Sequence, residues 1–236
     1  MKWLIVLSVA ALSVAAATST ATAATSFTCN STLNGVTVGK LVVPDNGTCI
    51  LVGSTTGDVM VGKNAYFEAN ASTIQGDVKS NESMTIYTHD GSSVSGSVKA
   101  NKTGQVFLYD GSVGKAVKAQ SVTGSGHVQV CGMSVGTDLL VQKAGTDILV
   151  GDALSSCGGN TIGGNLKVMK NVTDVELNVQ NNTVGGSLTV SNNTGPSDKF
   201  VSNNSGAKNL QCGGNALPFV GSANIGFAKV KGQCTF

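Results

Sequence analysis

The sequence predicts an all-β protein built as a single parallel β-helix, a β-solenoid that we expect to be right-handed, with coils of about 20 residues. A short unit recurs along the chain, in which a Gly and a polar residue precede an apolar-x-apolar strand. Clear copies begin at Gly57, Gly76 and Gly96, at spacings of 19 and 20 residues, and again at Gly164 and Gly186. Such repeats are typical of stacked coils, because each unit buries its apolar face against its neighbours.

A second strand with period-2 alternation lies between successive copies, as in 84–88, and the turn pair Asp90-Gly91 follows it. Short, evenly spaced strands also occur in sandwiches and barrels, but a self-similar unit of this length favours the solenoid. The repeat is regular up to about Val117 and is stretched beyond Gly136. We therefore look first for function in the stretched half.

The amino-terminal segment predicts secretion. A basic start, an apolar stretch over 3–17 and small residues at Ala21 and Ala23 are typical of a signal peptide cleaved after residue 23. We therefore expect a signal peptide at 1–23 and a solenoid domain at 24–236. No later stretch is long and apolar enough for a membrane span, so the predicted localisation is extracellular.

Charge and composition narrow the classes of partner that we expect. All 15 basic residues are Lys, against 13 acidic residues, and only 12% of the chain is charged. This balance provides no clustered basic surface for nucleic acid, so we expect no nucleic-acid partner. We also expect no cofactor, because phosphate-loop, dinucleotide and serine-hydrolase signatures are missing.

The chain has six cysteines, an even number that predicts disulfides in an oxidising compartment. Six cysteines allow fifteen connectivities. Neighbours along the chain lie 20, 26 and 22 residues apart, close to one coil, which would stack each pair on adjacent coils. This predicts the pairs Cys29 with Cys49, Cys131 with Cys157, and Cys212 with Cys234. A zinc site is not expected, because there is no C-x-x-C and only two His residues.

Nine Asn-X-Ser/Thr sequons are spread along the chain and predict several surface glycans, although a chain rich in Asn, Ser and Thr produces some sequons by chance. They begin at Asn30, Asn46, Asn70, Asn81, Asn101, Asn171, Asn181, Asn192 and Asn203.

The repeated V-x-G-x-V-x-V coils and the terminal Gly232-Gln-Cys234 resemble those of small secreted Gly- and Val-rich β-solenoid proteins. The resemblance covers most of residues 29 to 234. It implies a fold and no chemistry.

Two sets of outward side chains are candidate binding residues. Four lysines follow the inward residue of the first strand and could contact an acidic polysaccharide, although exposed strands often carry Lys simply to discourage edge pairing. Aromatic residues on the second strand could stack on sugar rings, although the same residues could merely pack across coils. The two sets are Lys79, Lys99, Lys118 and Lys167, and Tyr66, Tyr87, Phe107 and Tyr109.

Continuing the aromatic column brings His127, Asp147 and Glu176 to the same side of the rod, and a His with carboxylates can perform acid–base chemistry. Polysaccharide lyases and hydrolases on β-helices are the nearest analogues, but the chain has no Arg, dispersed Asp residues and no Gly-His-Gly. Ice binding needs a strictly repeated Thr-x-Thr surface, and the matching outward rows of this chain mix Lys, Met, Thr and Gln.

The favoured interpretation is a secreted, glycosylated, non-catalytic solenoid that acts as a structural or interaction protein outside the cell. A partner would be an extracellular polysaccharide or a protein receptor. The alternative is a polysaccharide-binding module, and the third hypothesis is a carbohydrate-active enzyme.

Overall fold

The structure, a computed structural model, describes residues 26–123, 126–152 and 157–235. Within these residues the chain is all β and winds through about ten coils of roughly 20 residues each. Equivalent strands of successive coils pair in parallel and form three sheets of 11, 10 and 9 strands, which we call sheets A, B and C. This confirms the predicted all-β solenoid of stacked parallel coils. The predicted signal peptide, 1–23, lies outside the described residues.

Sheet A comprises β1 (Phe27–Thr28), β4 (Leu41–Val43), β7 (Val59–Val61), β10 (Val78–Asn81), β13 (Val98–Asn101), β16 (Val117–Gln120), β19 (Leu139–Gln142), β22 (Leu166–Met169), β25 (Leu188–Ser191), β28 (Asn209–Gly213) and β30 (Lys229–Gly232). Sheet B comprises β2 (Thr32–Asn34), β5 (Thr48–Val52), β8 (Tyr66–Asn70), β11 (Thr85–His89), β14 (Gln105–Tyr109), β17 (His127–Cys131), β20 (Asp147–Val150), β23 (Glu176–Gln180), β26 (Asp198–Ser202) and β29 (Phe219–Ser222). Sheet C comprises β3 (Thr37–Val38), β6 (Thr55–Thr56), β9 (Thr73–Ile74), β12 (Ser93–Val94), β15 (Ser112–Val113), β18 (Ser134–Val135), β21 (Thr161–Ile162), β24 (Thr183–Val184) and β27 (Ser205–Gly206).

Sheet C is the main departure from the sequence prediction, which placed only two strands in each coil. Its strands are two residues long, with one side chain inward and one outward. The outward residue is a Ser or Thr in every one of the nine strands, so sheet C presents an unbroken row of hydroxyl side chains.

The corners between sheets depend on residues that tolerate left-handed backbone. The predicted turn at Asp90-Gly91 is confirmed, because φ is 53° at Asp90 and 77° at Gly91. Asn occupies the same conformation at many other corners, as at Asn46 and Asn192, with φ of 58° and 55°. Asn, Asp and Gly adopt this region at the lowest cost, although other residues also occupy it, as at Glu82 and Lys102.

The core lies between the three sheets and is filled by inward aliphatic side chains that stack coil upon coil. On sheet A, Val59, Val78 and Val98 are aligned on successive strands and fully buried. On sheet B, one inward column contains Phe67 and, several coils later, Lys199, which is also fully buried. The Lys199 ammonium donates hydrogen bonds to the carbonyl oxygens of Gly195 and Ser197.

Two ladders of buried amide side chains line the corners of the carboxyl-terminal coils. In each ladder a side-chain amide donates to the side-chain oxygen of the residue one coil later, at 2.8–3.0 Å. The ladders are Asn160–Asn182–Asn204–Asn224 and Asn171–Asn193–Asn215–Gln233. Early coils use Ser instead: the backbone N–H of Ser54 donates to Ser72, and that of Ser72 to Ser92.

The disulfides join the predicted pairs. Cys29 is bonded to Cys49, Cys131 to Cys157, and Cys212 to Cys234, with Cα–Cα distances of 5.5, 4.7 and 5.3 Å. The first and third pairs lie in the end coils. The second fastens a corner in the middle of the rod.

Coil length varies by a few residues along the rod and is greatest in one coil. Ladder hydrogen bonds between equivalent residues span 18–20 positions in the early coils and 22 in most later ones. They span 27 where Met133 meets Asn160 and where Ala144 meets Asn171. The repeat is therefore stretched beyond Gly136 as predicted, and most of the added length lies in one coil. This long coil carries extra residues at 151–160, between β20 and β21.

Candidate functional site

The outward face of sheet B has three columns, because its five-residue strands present three outward positions. The predicted aromatic residues occupy all three columns and not a single one. Tyr66 lies in the first column, Tyr87 and Phe107 are paired in the second, and Tyr109 lies in the third. His127 is paired with Asp147 in the first column, and Glu176 follows there on the next strand.

The aromatic side chains nevertheless form one cluster. The ring of Tyr87 meets the edges of Phe107 and Tyr109 at centroid distances of 5.9 and 5.8 Å, and Phe107 and Tyr109 are parallel at 6.2 Å. Tyr66 completes the lining of a shallow depression of about 370 Å³ in front of these rings. All four predicted aromatic residues therefore border one surface.

His89 belongs to the same cluster, although sequence reasoning missed it. Its ring stacks on Tyr87 at 4.3 Å, and its two nitrogens lie 2.9 Å from Asp90 and 3.0 Å from Glu68. Glu68 also accepts a hydrogen bond from the Tyr66 hydroxyl at 2.6 Å. Burial, with the hydrogen bond to Glu68, raises the pKa of Tyr66 well above its usual range. These contacts fix the orientation of the rings before any ligand arrives.

A cleft of about 440 Å³ adjoins the aromatic depression and shares Tyr87 and Tyr109 with it. It runs from the regular coils to the long coil. Its lining comprises Tyr87, His89, Asp90, Tyr109, Asp110, Gln129, Leu149, Asp152, Cys157 and Glu176.

The inserted residues of the long coil form one wall of this cleft. Asp152 and Cys157 both come from the insertion at 151–160, and the disulfide from Cys157 to Cys131 ties that insertion to β17. The Gly132 N–H also donates to the carbonyl of Gly158 at 2.8 Å. Cys157 and Gly158 are thus held beside the end of β17.

Of the three candidate catalytic residues, only Glu176 lines the cleft. Burial raises the pKa of Glu176, and the nearby carboxylates of Asp152 and Asp147 raise it further. Asp147 accepts hydrogen bonds from the backbone N–H groups of Val175 and Glu176, and its other oxygen lies 3.6 Å from His127. The three residues share a column as predicted, but Asp147 serves mainly to hold the start of β23.

The lysine row is shorter than predicted. Lys79, Lys99 and Lys118 are aligned on successive strands and line a groove of about 640 Å³ on sheet A, but Leu140 separates them from Lys167. Asp77 bridges to Lys79 and Lys99 at 3.2 and 3.1 Å and offsets part of their charge. A hydrogen bond from the Ser97 N–H holds the pKa of Asp77 well below its usual range, and these two lysines make smaller contributions in the same direction.

One predicted glycosylation site does not fit the fold. Asn171 is fully buried, and its side chain belongs to an amide ladder. A glycan there would disrupt the ladder, so this sequon is unsuited to modification in the folded chain. The other eight sequon Asn residues are exposed or half-buried. Two of them, Asn81 and Asn101, line the lysine groove, so glycans at these positions would cover it.

The chain matches no protein-family model, no curated protein and no solved structure. Within the described ranges, no three His, Cys, Asp or Glu side chains are placed to hold a metal ion. No helix in the described part of the chain is long and apolar enough to cross a membrane.

Proposed function

We propose that this protein is secreted and glycosylated and acts outside the cell as a non-catalytic polysaccharide-binding rod. The amino-terminal segment supports secretion, and three disulfides are compatible with an extracellular protein. Its ligand-binding surface is the aromatic cluster of sheet B together with the adjoining cleft.

One observation carries this proposal: outward aromatic rings in mutual contact border a cleft whose other walls are polar. Sugar rings present apolar C–H faces that stack on aromatic side chains, and hydroxyl groups that bond to carboxylate, amide and imidazole groups. Tyr87 and Tyr109 supply the first kind of contact, and the Gln129 amide and the Asp110 carboxylate supply the second. If the aromatic residues served only to pack adjacent coils together, no cleft beside the rings would be needed.

The test is binding of oligosaccharides to the purified protein by isothermal titration calorimetry. Tyr87→Ala should weaken binding at least about tenfold, because a central aromatic contact is lost. Phe200→Ala is the matched control, since Phe200 lies in the same outward column but outside the aromatic cluster. Unchanged binding after Tyr87→Ala, or an equal loss after Phe200→Ala, would remove the basis for this surface.

Glycoside hydrolysis is a second candidate function, favoured by Glu176 alone. A carboxyl group with a raised pKa, lining a cleft beside further carboxylates, has the character of a general acid. Release of reducing ends from oligosaccharides, abolished by Glu176→Gln, would establish hydrolysis and overturn the non-catalytic proposal.

The lysine groove on sheet A could instead bind an acidic polysaccharide, but the positive charge of this groove is partly offset by Asp77.

A further inference from the structure

We infer that the cleft selects sugars that carry a free amine, such as polymers of glucosamine units, over neutral and acidic sugars. The inference rests on the proposed function and specifies the class of ligand. It follows from the negative charge of the cleft lining, the aromatic rings that border the cleft and the location of the lysines on a different face of the rod.

The cleft lining is acidic. Four carboxylate side chains contribute to it, those of Asp90, Asp110, Asp152 and Glu176, and no lysine appears among its described lining residues. They come from separate coils, so the fold gathers them from distant parts of the sequence. Lysines are concentrated instead on sheet A, where Lys79, Lys99 and Lys118 line the other groove.

No salt bridge to Asp110 or Glu176 is present among the described residues. His89 contacts Asp90, and Asn178 donates a hydrogen bond to Glu176 at 3.0 Å. Asp110 is exposed and lines the cleft together with Tyr109. The raised pKa of Glu176 has the repulsion of Asp152 and Asp147 among its causes, after burial. An ammonium group placed here would relieve that repulsion.

The aromatic border adds a second attraction for a cation. An ammonium group over the face of a tyrosine ring is attracted by the ring's electrons, and Tyr87 and Tyr109 border the cleft. A sugar that carries an amine can therefore stack its ring on the aromatic cluster and place its charge among the carboxylates. A uronic acid stacked in the same way would bring a carboxylate toward four others, which disfavours it.

The experiment compares three oligosaccharides of equal length in calorimetry: a glucosamine oligomer, its N-acetylated form and a glucose oligomer, at a pH where the amines are protonated. We expect the glucosamine oligomer to bind at least about tenfold more tightly than the others. Asp110→Asn should remove much of this preference, and the left-handed backbone at Asp110 (φ 46°) accepts Asn readily. Asp174→Asn, at an exposed carboxylate outside the cleft lining, should not change it.

Equal binding of the three oligomers, with continued dependence on Tyr87, would overturn amine selectivity and leave the proposed function intact. Binding of none of them would count against the proposed function itself. A preference for glucosamine that Asp174→Asn reduces as much as Asp110→Asn, or equally tight binding of polylysine, would show general charge attraction and also overturn the inference.

Discussion

The amide ladders give the sharpest test of what holds the coils in register. Asn182 is almost fully buried at the corner between sheets B and C, and its side chain lies within hydrogen-bond distance of five groups. Its oxygen accepts the backbone N–H and the side-chain amide of Asn160, and its two N–H groups are shared among the carbonyl oxygens of Val150 and Gln180 and the side-chain oxygen of Asn204. We predict that Asn182→Ala strongly destabilises the rod.

The magnitude follows from the groups left without partners. Among the described contacts, the backbone N–H of Asn160 has Asn182 as its acceptor and no other. An orphaned buried donor costs about 1–3 kcal/mol, and each of the three other bonds that the amide can make contributes roughly 0.5–1 kcal/mol net. The expected loss in the free energy of unfolding is therefore about 2.5–6 kcal/mol. Because a Ser hydroxyl accepts this N–H in the early coils, Asn182→Ser should lose only about half as much.

Urea unfolding followed by circular dichroism measures both variants. The control is Asn209→Ala, because Asn209 is exposed on β28 and its side chain makes no hydrogen bond with the described residues. We expect that control to stay within about 0.5 kcal/mol of the unmodified protein. A loss below about 1 kcal/mol for Asn182→Ala, or equal losses for Ala and Ser, would refute the ladder reasoning.

Three further predictions concern charge and modification. The pKa of Asp77 is depressed in the folded state, so its stabilising contribution is present above the unfolded value of ~3.9 and lost below it. Asp77→Asn should therefore lower the thermal midpoint at pH 7, with the difference shrinking at pH 3; a difference independent of pH would contradict this. Burial lowers the pKa of Lys199, so the unfolded chain binds more protons between the two pKa values. Relative to Lys199→Met, the unmodified protein should thus gain stability as pH rises toward ~10.4, whereas parallel pH profiles would exclude a depressed pKa. Glycopeptide mass spectrometry of protein secreted by a eukaryotic host should find Asn171 unoccupied beside an occupied Asn192, and a glycan on Asn171 of folded protein would invalidate the buried ladder.

The sequence allowed the coil and the disulfides to be predicted because parallel stacking converts sequence spacing into distance. Residues one coil apart become neighbours on adjacent strands, so Cys29 and Cys49, or Val78 and Val98, meet without any detailed model of the corners. The same reasoning correctly placed His127, Asp147 and Glu176 in one column. The insertion at 151–160 leaves that column intact, because the extra residues lie at a corner outside the sheet.

Sheet C escaped prediction because a two-residue strand has no alternation to detect. Thr55-Thr56 and Ser93-Val94 have the composition of loops, and only pairing with the coils on either side defines them as strands. Lys199 and Asn171 were missed for a related reason. Lys and sequon Asn are normally exposed, and their burial depends on carbonyl and amide partners that appear only once the coil register is known.

The candidate site shows what an irregularity adds to a repetitive scaffold. In the regular coils, stacking alone produces rows such as Lys79, Lys99 and Lys118, which repeat one side chain along an open face. The single long coil breaks this regularity: Asp152 and Cys157 from this coil line the cleft with Tyr87 and Tyr109, and a disulfide fastens Cys157 to Cys131. Removing the disulfide should therefore impair ligand binding more than it impairs the sheets, whose ladder hydrogen bonds continue on both sides of the insertion.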